Sequence, residues 1–214
     1  MSSILDQVAA IGVVPVIAID CVEHALPLAD ALLAGGLGVI EVTFRTEAAA
    51  EVIALLARER PNLIVGAGTV LTPETVQIAK RAGARFAVAP GLNPRVVKAA
   101  QDIGLPFVPG VANPSDIEAG IDLGCQLLKF FPAEALGGIR LLSAFAAPYQ
   151  HTGVRMMPTG GVTTANLAEY LKLDIVAAVG GTWIAKKTDM ASGAWETITQ
   201  RCREACAIRA TCRS

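Results

Sequence analysis

Eight short runs of β-branched and other apolar residues recur along the chain, and a helical pattern follows each run. The runs begin roughly 20 to 28 residues apart, at 13–19, 39–44, 64–70, 86–90, 106–111, 126–131, 154–159 and 176–180. The clearest helical patterns cover 47–58, 73–82, 94–103 and 164–171. Strand followed by helix, eight times in 214 residues, predicts an α/β fold with one (β/α)8 (TIM) barrel spanning residues 1–214 as a single domain.

Residues typical of helix starts lie where the predicted helices begin. Proline follows a capping residue at Thr72, Asn93 and Asn113, as is typical of helix starts. Ser3 and Asp6 indicate a helix before the first strand. The alternative fold is a doubly wound open sheet, but the first run continues into Asp20 and lacks the glycine-rich turn usual there.

Composition excludes several classes of partner. The chain is 53% hydrophobic, yet its longer apolar stretches, 31–40 and 175–185, are shorter than the roughly 20 residues of a membrane span. Strands buried on both faces explain such a composition. The net charge is −1 and no basic stripe is present, so neither a nucleic-acid nor a membrane partner is expected.

Cysteine and histidine content bears on location and metals. The five cysteines form no CxxC pair, and the first residues carry an acid and no Lys or Arg, unlike a secretory signal. A reduced, cytoplasmic protein is therefore expected. Only two histidines are present, without ligand spacing, so no catalytic metal is expected.

Charged residues occupy strand positions that must face the barrel interior. In the run 40–45, Glu41, Thr43 and Arg45 share one face of the strand, opposite the apolar positions. Lys129 shares its face with Leu127 and Phe131. A charged side chain facing the helices would lie unpaired in the apolar layer between strands and helices, which is energetically costly. We therefore expect Glu41, Arg45 and Lys129 in the lumen, where a purely structural Glu41–Lys129 ion pair is the alternative to a catalytic pair.

Small and hydroxylated residues end several strands. Thr69 ends the third run, Thr159-Gly160-Gly161 the seventh, and Gly180-Gly181-Thr182 the eighth. Active sites of these barrels lie at the C-terminal strand ends, and phosphate often binds after strands 7 and 8. Glycine there lets backbone N–H groups approach an anion closely.

These residue types together indicate Schiff-base chemistry on a phosphorylated keto acid. Apolar surroundings favour the neutral amine of a lysine, which can attack a carbonyl. A carboxylate can then transfer protons, and an arginine can hold a substrate carboxylate. A phosphosugar isomerase or epimerase and a non-catalytic scaffold are the alternatives, but neither needs a lysine isolated in the lumen.

Longer motifs carry a family resemblance over essentially the whole chain. They are EVTFRT at 41–46, GAGTVL at 66–71, PG at 90–91 and 109–110, KFFPAE at 129–134, PTGG at 158–161 and GGTW at 180–183. In these motifs the chain resembles the bacterial 2-keto-3-deoxy-6-phosphogluconate (KDPG) aldolases, a family that includes 4-hydroxy-2-oxoglutarate aldolases. KFFPAE is the most specific of them.

The resemblance implies a homotrimeric class I aldolase without a metal or other cofactor. It would cleave 2-dehydro-3-deoxy-6-phosphogluconate, a small phosphorylated keto acid, into pyruvate and D-glyceraldehyde 3-phosphate. Lys129 would form the imine, Glu41 would be the general acid and base, and Arg45 and Thr69 would hold the carboxylate end. The other expected substrate-binding residues are Pro90, Phe131, Thr159, Gly160, Gly161, Gly181 and Thr182.

Two departures and two close alternatives remain. Thr182 stands where a serine is common in the family, and Cys202, Cys206 and Cys212 are not associated with it. The same family includes aldolases for the galactonate-derived isomer and for hydroxy-oxoglutarate. Arg45-Thr46 favours the gluconate type by resemblance.

Overall fold

Every strand of the computed structural model, which describes residues 3–212, pairs with its neighbours in parallel. The strands are β1 Val13–Ile17, β2 Val39–Thr43, β3 Ile64–Gly68, β4 Phe86–Val88, β5 Phe107–Val108, β6 Gly110–Val111, β7 Leu127–Phe130, β8 Arg155–Met156 and β9 Val179–Gly181. Each lies in a predicted run or within one residue of it.

Pairing closes these strands into a barrel. One sheet has the order β5-β4-β3-β2-β1-β9 and the other β6-β7-β8. β5 and β6 are two parts of one barrel strand, because Pro109 between them has no N–H to donate to the ladder. Bridges from Met156 to Val176 and from Thr159 to Gly180 join β8 to the β9 side. The predicted (β/α)8 barrel is confirmed.

Helices follow the strands and form the outer layer. They are α1 Ile4–Ile11, α2 Ala25–Ala34, α3 Ala49–Glu59, α4 Pro73–Arg81, α5 Pro94–Asp102, α6 Pro114–Asp122, α7 Gly138–Tyr149, α8 Leu167–Leu171, α9 Lys187–Ala191 and α10 Trp195–Cys212, with 3-10 turns at Val22–His24, Glu134–Leu136 and Gln150–Thr152. The predicted caps at Thr72, Asn93 and Asn113 all accept a backbone N–H. The helix predicted at 164–171 begins later, at Leu167, because the Asn166 side chain accepts the Thr163 N–H in a turn before it.

The apolar core has two parts. A large layer lies between strands and helices, and a smaller cluster fills the lower lumen with residues such as Val14, Val39 and Phe86. Val8 and Ala9 of α1 belong to the lumen cluster, so the N-terminal helix closes the mouth at the N-terminal strand ends. The opposite mouth is therefore left for a site.

None of the helices within residues 3–212 is long and apolar enough to cross a membrane.

The five cysteines are all unpaired thiols. Cys202 packs against Gly35, where an added Cβ would lie 2.2 Å from the cysteine Cβ, and burial raises the pKa of its thiol to about 12.

Candidate active site

Lys129 and Glu41 meet inside the barrel. On β2 Glu41 has the same parity as lumen-facing Val39, and on β7 Lys129 has the same parity as lumen-facing Leu127. Glu41 is fully buried and Lys129 is 5% exposed. The Lys129 Nζ donates a hydrogen bond to Glu41 Oε1 at 3.2 Å. Strand alternation and barrel closure together bring these two side chains into contact from 88 residues apart.

Glycines on β3 create the room for the carboxylate. A Cβ at Gly68 would lie 2.3 Å from Glu41 Oε1 and 2.7 Å from its Cγ. A Cβ at Gly66 would lie within 2.6 Å of three atoms of the Phe86 ring. Because no side chain fits at either position, the Glu41 side chain fills the space beside Gly68 and the Phe86 ring fills the space beside Gly66.

The carboxylate of Glu41 is only partly satisfied. Its Oε1 accepts from Lys129, but its buried Oε2 has no hydrogen-bond partner within residues 3–212. A buried carboxylate oxygen without a partner is costly and is typical of a functional site. Lys129 Nζ also lies 5.4 Å from the centroid of the Phe131 ring, within range of a cation–π contact. Lys129 Nζ therefore has two favourable neighbours, while Oε2 of Glu41 is still open to a hydrogen bond.

A cavity of about 280 Å³ opens over this pair at the C-terminal strand ends. It brings together nine of the eleven predicted site residues: Glu41, Arg45, Thr69, Pro90, Lys129, Phe131, Thr159, Gly160 and Thr182. Gly161 and Gly181 do not line it. Val16 and Thr43 also line the cavity. Val16 could not be placed in the lumen from the sequence, because β1 is apolar on both faces. Its register against Glu41 shows which face it lies on.

The rim carries an anchored arginine. Arg45 Nε donates to Thr43 Oγ1 at 3.1 Å, and that hydroxyl donates to the Ile17 carbonyl at 3.3 Å. The Nη atoms of Arg45 donate to no described residue and are available to an anion at the mouth. Thr69, on the same rim, has a φ of +58°, the one positive φ among the described non-glycine residues. A β-branched residue in that conformation is strained, as often happens at functional sites.

The two glycine pairs are required by packing. Gly160 and Gly161 have φ of +100° and +83°. A Cβ at Gly161 would lie 2.6 Å from Cβ and Cγ of Glu134, and one at Gly181 would lie 2.1 Å from the Trp183 ring. The motifs predicted these glycines to be at the site, but nothing in the sequence indicates which side chains pack against them. Contacts between a glycine and a side chain on another loop leave no periodic signal in a sequence.

The fold and the site together define a class: a (β/α)8-barrel enzyme with a buried lysine–glutamate centre at its C-terminal mouth. The family model described as KDPG and KHG aldolase matches residues 4–201. The chain therefore belongs to the KDPG and KHG aldolase family, as the motifs predicted.

Individual relatives agree with the family match. The chain is 45% identical over 201 residues to the 2-dehydro-3-deoxy-phosphogluconate aldolase of Haemophilus influenzae, covering 94% of each chain. It is 46% identical over 193 residues to the KHG/KDPG aldolase of Escherichia coli K12, covering 90% of each. The crystal structure of the KDPG aldolase of Legionella pneumophila, with pyruvate captured as a covalent carbinolamine, matches with a TM-score of 0.90 and 42% identity, covering 94% of this chain and 97% of that one.

Proposed function

We propose that the chain is a class I aldolase that cleaves 2-dehydro-3-deoxy-6-phosphogluconate into pyruvate and D-glyceraldehyde 3-phosphate, with Lys129 forming an imine to the substrate. The observation that carries this proposal is the 3.2 Å contact of a buried lysine with a buried, half-satisfied glutamate. The names of the relatives support the substrate, and the carbinolamine in the Legionella enzyme supports covalent attachment of pyruvate.

The proposed chemistry needs one nucleophile and one proton carrier. Glu41 takes a proton from Lys129 Nζ, and the neutral amine attacks the C2 carbonyl. Glu41 returns that proton to the carbinolamine hydroxyl, which leaves as water, so a protonated imine forms and Glu41 is again a carboxylate. Glu41 takes the proton of the C4 hydroxyl as the C3–C4 bond breaks, and the bond electrons move into the imine to form an enamine. Glyceraldehyde 3-phosphate leaves. Protonation of the enamine at C3 and addition of water to the imine then release pyruvate and restore the amine.

Substrate orientation follows from the two ends of the cavity. Arg45 and Thr69 would hold the carboxylate of C1, while Pro90 and Phe131 would flank the reacting carbons. The phosphate would bind at the opposite rim, near Thr159, Gly160, Gly161, Gly181 and Thr182. The Thr182 hydroxyl can donate to a phosphate oxygen as a serine would.

A second substrate has one specific support. The relative from Escherichia coli is named for both KHG and KDPG, so we propose that 4-hydroxy-2-oxoglutarate is also cleaved, to pyruvate and glyoxylate. We also propose that the domain acts in the cytoplasm as a homotrimer, and that it needs no metal because the imine is the electron sink.

A coupled assay tests the proposal. Purified enzyme is given the phosphorylated keto-deoxy acid, and pyruvate release is followed with lactate dehydrogenase, with and without EDTA. We expect equal rates in both conditions and a slower reaction with 4-hydroxy-2-oxoglutarate. Loss of activity on chelation, restored by a divalent metal, would overturn the metal-independent mechanism. The absence of pyruvate from both substrates would overturn the proposed reaction.

A further inference from the structure

The turn at Gly160 and Gly161 is held by a residue outside the cavity, Glu134, which ends the KFFPAE motif. The Glu134 N–H donates to the Gly160 carbonyl at 3.0 Å. Its side-chain stem packs so closely against Gly161 that a Cβ added there would lie 2.6 Å from Cβ and Cγ of Glu134. The turn is therefore held by a backbone hydrogen bond and by direct packing against the stem of Glu134.

The carboxylate at the end of that stem has a fixed partner. The Tyr170 hydroxyl donates a hydrogen bond to Glu134 Oε1. Tyr170 is fully buried and lies on α8, the helix that follows the glycine turn along the chain. Both oxygens lie against Gly138, where an added Cβ would be 2.8 Å from Glu134 Oε1 and 3.2 Å from Tyr170 Oη. The pair is thus enclosed between the start of α7 and α8.

The chemistry of the pair suits a permanent contact. Burial, followed by the hydrogen bond to Glu134, raises the pKa of Tyr170 well above its ordinary value. The phenol therefore stays protonated and remains the donor throughout the physiological range. A hydrogen bond to a charged acceptor is stronger than one between neutral groups. It ties the Glu134 carboxylate to α8.

We propose that the Glu134–Tyr170 hydrogen bond is a positioning device for the distal end of the substrate: it holds the Gly160–Gly161 turn in the conformation that receives the phosphate. This inference rests on the proposed function. Neither residue touches the cavity, so both act through the turn alone. The reactions of the pyruvate end, which take place at Lys129, do not depend on the pair.

Four variants separate this role from a general structural one. Tyr170→Phe removes the donor, Glu134→Ala removes stem and acceptor, and Glu134→Gln keeps both the stem and an oxygen that can accept from Tyr170. Tyr149→Phe is the matched control, because Tyr149 donates an equivalent hydrogen bond to Glu118 at 2.9 Å on the outside of the barrel. Two reactions are measured for each variant: cleavage of the phosphorylated substrate and exchange of pyruvate methyl protons with deuterated water.

We expect KM for the phosphorylated substrate to rise about tenfold in Tyr170→Phe and Glu134→Ala, equivalent to about 1.4 kcal/mol of lost binding. Glu134→Gln and Tyr149→Phe should stay within about twofold of wild type, and pyruvate exchange should be unchanged in all four. An unchanged KM in both Tyr170→Phe and Glu134→Ala would overturn the inference. A parallel fall in pyruvate exchange would also overturn it, since the pair would then act on the lysine centre or the fold. Both results leave the proposed function standing, whereas a wild-type enzyme that exchanges pyruvate but does not cleave the phosphorylated acid would refute the substrate itself.

Discussion

Gly68→Ala adds a single methyl group next to Glu41, the proposed proton carrier. The added Cβ would lie 2.3, 2.7 and 2.9 Å from Oε1, Cγ and Cδ of Glu41, all below the closest contacts that real Cβ atoms make. Glu41 is fully buried on the neighbouring strand, so its carboxylate must shift by about 1 Å to relieve the overlap. That shift is enough to break the 3.2 Å contact with Lys129.

The size of the effect follows from two known costs. Overpacking a buried site destabilises a protein by about 1–3 kcal/mol, which lowers Tm by several degrees in a chain of this size. Misplacing a catalytic group by about 1 Å can cost about 10²-fold in rate. We therefore expect kcat for aldol cleavage to fall about 10²-fold in Gly68→Ala while the protein stays folded at 25 °C.

The matched control is Gly38→Ala, just before β2. Its Cβ would make only ordinary contacts, 3.9 Å from the Asn62 carbonyl and 4.0 Å from Ile11 Cδ1. A double-mutant cycle completes the assay: in a Glu41→Gln background, Gly68→Ala should cost little more, because both changes act on one group. Wild-type kcat in Gly68→Ala, or full additivity of the two losses, would refute the reasoning.

Three further predictions concern the pair, the phosphate end and assembly. Glu41→Gln should slow exchange of pyruvate methyl protons about 10²- to 10⁴-fold, followed by NMR, because the amide cannot carry the proton; exchange at the wild-type rate would mean that Glu41 only pairs with Lys129. Gly161→Val should raise KM for the phosphorylated substrate strongly, since its Cβ would collide with the Glu134 stem at a φ of +83°; normal pyruvate exchange is the internal control, and unchanged KM would place the phosphate elsewhere. Sedimentation should give a trimer, and a monomer at micromolar concentration would contradict that proposal.

The order and type of the elements could be predicted from the sequence, because eight apolar runs with periodic helices between them fit few folds. The lumen positions of Glu41 and Lys129 also followed, since strand alternation leaves a charged residue one acceptable side. The break at Pro109 and the shortened α8 were missed in detail, because they depend on local hydrogen bonds of one proline and one asparagine side chain. Contacts such as Gly68 with Glu41 and Gly161 with Glu134 arise only when the barrel closes, so no local sequence pattern predicts them.

Reductive trapping tests the central claim most directly. Borohydride added with pyruvate reduces an imine to a stable secondary amine, and peptide mass mapping then locates the added mass. The lysine–glutamate centre predicts one modified site, in the peptide that contains Lys129, and no modification in Lys129→Ala, which should remain folded by circular dichroism. Label on any other lysine, or an active enzyme that cannot be trapped, would contradict the assignment of Lys129 as the nucleophile.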